Sequence, residues 1–433
     1  MLHIFRLIFV AACSALLLSQ VAIGDDWPQW RGPNRDGVWR ESGIVQQFAS
    51  DRLTPKWRVE IGSGYCGPTV ANGRVYVMDL ITRPDHTERI HCFDEKTGKQ
   101  LWSLAYECPY GEVRYPAGPR ASVTIEGGKA YSLGATGRMH ALDAATGKLL
   151  WQKNLEAQYA IQLPQWGISA APLIHKSLVI LHIGGEGACI VALNKDTGDE
   201  VWRALNDRAQ YSTPIVVQQG GQPVIVCWTG DSVAGLEAQS GKVLWRYEWK
   251  PRNMPIGVAT PVVEGDRVFF TSFYDGSLML RLFANKPEFE KLWQIVGRDE
   301  KNTDALHSII STPVFESGHI YGVDSYGELR CLDAADGRRI WEDKTAVPTA
   351  RWSTIHFVKN ADRYFLFNER GELIIARLSP QGYHEISRAK LLEPTEEQLR
   401  QRGGVCWSHP GFANRHIFAR NDKELVCASL AAE

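Results

Sequence analysis

From residue 53 onward the chain is a succession of short runs in which apolar and polar residues alternate, cut by Gly, Pro, Asn and Asp. Glu328-Leu329-Arg330-Cys331-Leu332 is one such run, and a period of two is that of a strand with one face buried. The runs come in sets of four. Each set opens near a Thr-Pro or Ala-Pro step, as at Pro172, Pro214, Pro261 and Pro313, and a second run follows a polar turn, as at 267–272. A Gly-centred turn (Gly137, Gly276, Gly327, Gly371) leads to the third, alternating run, and the fourth starts at a Trp.

These tryptophans stand at 57, 102, 151, 202, 245, 293 and 341, at intervals of 43 to 51 residues. The residues before them repeat as well: Asp94-Glu-Lys-Thr-Gly98, Asp143-Ala-Ala-Thr-Gly147 and Asn194-Lys-Asp-Thr-Gly198, with weaker copies at 237–241 and 333–337. Asp or Asn closes a turn on its own backbone and Gly supplies the positive φ that ends it, so the motif predicts a hairpin into an outer strand. Four strands per unit of this length is one propeller blade.

The pattern continues past Trp341 through 364–378 and 383–387, where Ile386 stands in the Trp position, and a last set at 417–430 supplies inner strands. The run at 53–61, around Trp57, has no inner strands before it. Pairing 53–61 into the last blade closes the ring and removes two exposed sheet edges. The expected fold is all-β, an eight-bladed β-propeller of four-stranded antiparallel blades over 53–433; a seven-bladed ring is the competing count.

The run Gly134-Ala-Thr-Gly-Arg-Met-His-Ala-Leu-Asp-Ala-Ala-Thr-Gly-Lys-Leu-Leu-Trp151 resembles the pyrroloquinoline-quinone (PQQ) type propeller repeat almost letter for letter. Similar repeats build quinoprotein alcohol dehydrogenases and the propeller lipoprotein of bacterial outer-membrane barrel assembly. The segment Asp26-Trp-Pro-Gln-Trp-Arg-Gly-Pro-Asn-Arg-Asp-Gly37 resembles the opening of a group of exported PQQ-like repeat proteins. The resemblance implies the fold; a fold does not by itself imply a function.

Ahead of the repeats, Arg6, the apolar run 7–18 and Ala22-Ile23-Gly24 follow the grammar of a secretory signal over 1–24, leaving 25–52 as an N-terminal extension. An uncleaved anchor is the alternative, and Val10-Ala-Ala-Cys13 resembles a lipobox that would place a lipid on Cys13. Export to the periplasm or the exterior is expected. No later segment has the ~18 apolar residues of a membrane span. With 48 basic and 49 acidic residues, charge predicts neither nucleic acid nor an anionic membrane as partner. Nothing points beyond a monomer.

Long connections at 80–89, 105–119, 155–168, 248–257, 295–310, 343–352 and 388–408 fall between blades or between second and third strands, which share one face. Long loops gathered on one face mark a binding face. Thr395-Glu-Glu-Gln398 through Arg402 reads as a short capped helix. Alignment of the repeats places Tyr65, Arg120, Trp166, Tyr211, His307, Arg351, Trp352 and Trp407 at the entrances of the innermost strands, ringing the central funnel. Aromatic rings with two arginines suit a flat or anionic ligand; the competing reading, and the favoured one, is that the same side chains plug the channel and pack on one another. Cys92, Cys331 and Cys427 fill a small-residue packing slot, whereas Cys66 and Cys406, in blades that adjoin across the closure, are candidates for a disulfide.

A quinoprotein dehydrogenase would need PQQ, a Ca²⁺ site of oxygen ligands and a carboxylate base. Such enzymes typically also carry a vicinal cysteine pair, and no two cysteines here are adjacent. H-E-x-x-H, C-x-x-C and Walker motifs are missing, and no catalytic or metal-ligating residue is assigned. The expectation is a non-catalytic exported binding or scaffold module, with no cofactor, whose partner is an envelope protein, a polysaccharide or a small ligand. The alternatives are a PQQ-dependent oxidoreductase and a carbohydrate-binding or polysaccharide-active protein.

Overall fold

A computed structural model describes residues 25–432; residues 1–24, over which the sequence predicts a signal segment or a lipidated Cys13, lie outside the described residues. The described chain forms eight four-stranded antiparallel sheets. In chain order the blades span 69–107, 124–154, 173–204, 215–248, 262–295, 314–343 and 355–390, and the eighth spans 411–429. The eighth is completed by Pro55–Glu60, which pairs antiparallel with Glu424–Ser429. The ring therefore closes as the sequence predicts, one residue or two inside the expected limits. Closure completes every blade as a four-stranded sheet, its innermost strand facing the channel and its outermost strand the exterior.

The structure explains why the repeat couples Trp to a turn. The Trp102 indole N–H donates to the Ala144 carbonyl of the next blade at 3.1 Å, and Trp57, Trp151, Trp202 and Trp293 repeat the contact on Glu95, Lys195, Ala238 and Ala334. The ring lies against the glycine of that same turn: a Cβ on Gly147 would stand 2.6 Å from Trp102. Gly147 has φ +74°, so the position demands glycine for its backbone and for its neighbour. The Asp143 carboxylate accepts from the Thr146 N–H at 2.8 Å, which holds the turn in shape. Opposite the tryptophans stand the small residues: Cys92 faces Trp102, Cys331 faces Trp341 and Cys427 faces Trp57.

Two local expectations are corrected. Cys66 and Cys406 are not joined: both are buried free thiols, as are the other six cysteines of the described residues. The Cys66 Sγ–H points to the Met78 carbonyl at 3.1 Å and the Cys406 Sγ–H to the Glu393 carbonyl at 3.5 Å, so each thiol is committed elsewhere. Residues 395–402 form no capped helix. Thr395 pairs with Val405 in a bridge, and its hydroxyl donates to Asp422 at 2.6 Å instead of capping the following turn. Only a three-residue 3-10 turn, Gln401–Gly403, remains. A short helix does occur at Leu155–Tyr159, capped by the Asn154 side chain, inside what the sequence shows as a long loop.

The extension 25–52 crosses the end of the channel opposite the long loops. Trp27 bridges to Val70 in the first blade, the Pro28 carbonyl accepts from Ile125 in the second, and Arg35 donates to the Pro172 carbonyl ahead of the third. Val38 pairs with Lys359 in the seventh blade and Ile44 with Ala431 beside the eighth. Trp27 and Trp39 are buried in the largest apolar cluster of the protein, and Trp39 packs on Phe365 and Phe412. The extension is thus a plug built into the core.

Candidate functional site: an aromatic mouth above a plugged channel

The chain segments that lead into the innermost strands converge on the channel axis at the long-loop end. Six of the eight funnel residues named from the sequence, Tyr65, Arg120, Trp166, Tyr211, Trp352 and Trp407, line one cavity of about 150 Å³. Trp166 stacks on Tyr211 at 5.0 Å between ring centroids, and Tyr115 stands edge-on to both Trp166 and Trp352. Arg120 lies over the Tyr65 ring at 4.7 Å, its guanidinium held by the Gly118, Arg114 and Tyr115 carbonyls. Its charge has no carboxylate partner among the described residues. Trp407 is fixed from behind: its indole N–H donates to Glu369 at 3.3 Å, and Glu369 is paired with Arg402 at 2.8 Å. Burial pushes the Glu369 carboxyl above its usual range, against the pull of Arg402.

Trp352 stands apart. It adopts φ +69°, a backbone conformation unfavourable for a bulky side chain, and its Nε1–H is buried without a hydrogen-bond partner. Arg351 backs it, with the guanidinium 4.5 Å from the Trp352 ring and two hydrogen bonds to Glu300 at 2.9 and 2.7 Å. Arg351 therefore supports the wall and does not line the cavity. His307 is also outside it: the ring is buried between the Phe273 carbonyl and the Gly297 N–H, each at 3.0 Å, and ties two loops together.

The floor was missed in the sequence. Trp30, from the extension, rises into the channel, donates to the Thr260 hydroxyl at 2.8 Å and packs edge-on against His409 at 4.2 Å. The Trp-Pro-Gln-Trp string singles out this residue, but no pattern of spacing says that it enters the channel. His409 shares a hydrogen bond with Ser122 at 2.8 Å, and His356 reaches the Trp407 carbonyl at 2.8 Å. Burial drives both imidazoles down, His356 to about 4 and His409 well below its ordinary value, so both are neutral at neutral pH.

An open aromatic cavity over a floor of neutral groups, the Ser122–His409 pair among them, can bind a ligand. A family model described as outer membrane protein assembly factor BamB matches residues 86–343. The chain belongs to the BamB family. BamB of Escherichia coli (strain K12) is 24% identical over 173 residues, covering 37% of this chain and 39% of that one. BamB of Yersinia pestis is 24% identical over 222 residues, covering 49% and 51%. The chain thus spans about two fifths to a half of the length of these curated relatives. Among solved structures, BamB from Moraxella catarrhalis superposes with a TM-score of 0.57 at 15% identity, over 87% of this chain and 99% of that one. Quinohemoprotein alcohol dehydrogenase from Comamonas testosteroni gives 0.67 at 14% identity, over 94% and 81%. At these identities both speak for the propeller alone.

No group of three or more His, Cys, Asp or Glu among the described residues is placed to hold a metal ion.

Proposed function

We propose that this member of the BamB family is a non-catalytic, exported scaffold that binds another protein of the cell envelope through its long-loop face, with the aromatic mouth as the centre of contact. The observation that carries the reading is the mouth itself: tryptophans and tyrosines gathered in one concave site, floored by the chain's own extension. Large rigid aromatics with a neighbouring arginine are the residue types that dominate protein-binding energy. The match to a family described as an outer membrane assembly factor supports an envelope setting.

The test is capture from envelope extract on immobilised protein, with the retained proteins identified by mass spectrometry. The triple variant W166A/W352A/W407A is expected to lose the retained partner. Undiminished capture by that variant would remove the mouth as the site. Saturable binding of added PQQ with Ca²⁺, accompanied by dye-linked alcohol oxidation, would overturn the non-catalytic reading.

A further inference from the structure

At the rim of the long-loop face, between the fourth and fifth blades, lies a second groove of about 470 Å³. Its floor is Trp249, which stacks on Trp228 at 5.1 Å and 11° between ring planes. Lys250 and Arg252 enter it from the connection between the two blades, and Lys291 from the outer strand Phe289–Ile295 of the fifth. All three cations are exposed, and none is within ion-pair distance of a carboxylate among the described residues. Their surroundings are different. Arg246 pairs with Glu248, Arg281 with Glu290 and Arg298 with Asp299, immediately around the groove.

Two carboxylates face the three cations. Asp275, also lining the groove, is engaged by the Arg252 backbone N–H at 2.8 Å and the Ser272 hydroxyl at 3.3 Å. Asp231, whose field reaches Lys250, is already bound by Arg208 at 2.7 Å. Lys291 has only the Tyr247 ring, 5.7 Å away. The groove thus has an excess of positive charge in a protein whose formal net charge is −1. A local field of this sign, on a nearly neutral molecule, selects partners by complementarity.

We infer that this groove receives an acidic segment of a protein partner, with Asp or Glu carboxylates seated among Lys250, Arg252 and Lys291 over the Trp249 ring. The inference deepens the scaffold reading by giving the chemistry of one contact on the long-loop face, and it rests on that reading for its biological sense. The binding itself is a property of the purified chain.

The test is fluorescence anisotropy of a labelled oligoglutamate peptide titrated with purified protein. Saturable binding is expected, weakening as salt shortens the screening length from about 30 to about 3 Å. K250E/R252E/K291E is expected to weaken it roughly tenfold or more, and K291E alone by less. All three side chains are exposed, and an unchanged near-UV circular dichroism spectrum checks the fold of the variants. No binding by the wild-type chain, or equal binding by the charge-reversed chain, overturns the inference. So does the result that reversal abolishes binding to phosphatidylglycerol vesicles and leaves the peptide unaffected, since the groove would then be a lipid contact. W166A/W352A/W407A should bind the peptide normally, so failure at the mouth and failure at the groove give separate readings.

Discussion

The two ends of one channel, built from the same eight innermost strands, are finished in opposite ways. At the long-loop end the connections supply Tyr65, Trp166, Tyr211, Trp352 and Trp407 to an open cavity. At the tight-turn end the connections are too short to reach the axis, and residues 25–52 come from outside the repeat to close it. At the plugged end the anchoring rings are buried, Trp39 being 1% exposed, while the Arg35 Nη1 there has no partner and residues 29–38 border a groove of about 510 Å³. At the open end Trp352 keeps a strained backbone and an unpaired indole N–H, Arg120 keeps an unpaired charge, and the rim groove keeps three unpaired cations. What sets the open end apart is that its unpaired groups stand beside a cavity and a groove that a partner can reach.

If the plugged end is structural, its loss should show in stability first. Trp39→Ala removes a fully buried ring from between Phe365 and Phe412 and breaks the seal of the extension on the seventh and eighth blades. The expected loss is about 4 kcal/mol, from the transferred ring and the cavity it leaves, read as a lowered midpoint in urea. A loss below about 1 kcal/mol would mean that the extension merely lies against the propeller.

The boundary between the two ends should respond to acid. His356 and His409 lie where the mouth meets the plug, buried and neutral. For His356 the folded value of about 4 is below the ordinary 6.5, so the unfolded chain takes up the proton first. Its contribution to stability is complete above pH 6.5 and is lost as the pH falls toward 4. At most about 3 kcal/mol is at stake, since each unit of displacement is worth about 1.4 kcal/mol. His356→Gln, which can still donate to the Trp407 carbonyl, should flatten that part of the pH–stability profile measured in urea. An unchanged profile would place the acid sensitivity elsewhere.

Much of this architecture is written in the sequence because a repeat states each contact several times. Trp102 and Gly147 are both visible as periodic residues, although that they touch each other is a fact of packing between blades. Six funnel residues followed from the alignment because each precedes an innermost strand. His307 and Arg351 precede such strands too, and their side chains turn to Phe273 and Glu300 instead. Repeat position fixes where a Cα lies and leaves the rotamer to local partners. Trp30 was illegible for the opposite reason, since it belongs to no repeat and gains its place only through the folded channel.

The tight-turn end offers an internal comparison between two glycines. Gly147 and Gly73 have φ +74° and +72°, but an added Cβ meets Trp102 at 2.6 Å in the first case and nothing within 4 Å in the second. Gly73→Ala should cost only the backbone strain, about 1 kcal/mol. Gly147→Ala adds overpacking against the tryptophan, for a total of about 3 kcal/mol. Equal losses in thermal or urea unfolding would remove the Trp–glycine contact as the reason for the motif.

The smallest effect on stability is expected where the effect on binding should be plain. Trp352→Phe keeps a ring beside Tyr115 and Arg351 and deletes the one buried indole N–H at the mouth that has no acceptor among the described residues. Removing an unsatisfied buried donor recovers what its desolvation cost, while the smaller ring loses some contact. The two oppose each other, and the net change in urea stability should stay within about 1 kcal/mol. If the indole N–H is held ready for an acceptor on a partner, the same substitution should weaken partner capture while the fold is untouched. A variant that captures its partner as well as the wild type would show that Trp352 is only a wall of the channel, and the contrast between the two ends would then rest on Trp166, Trp407 and the unpaired Arg120.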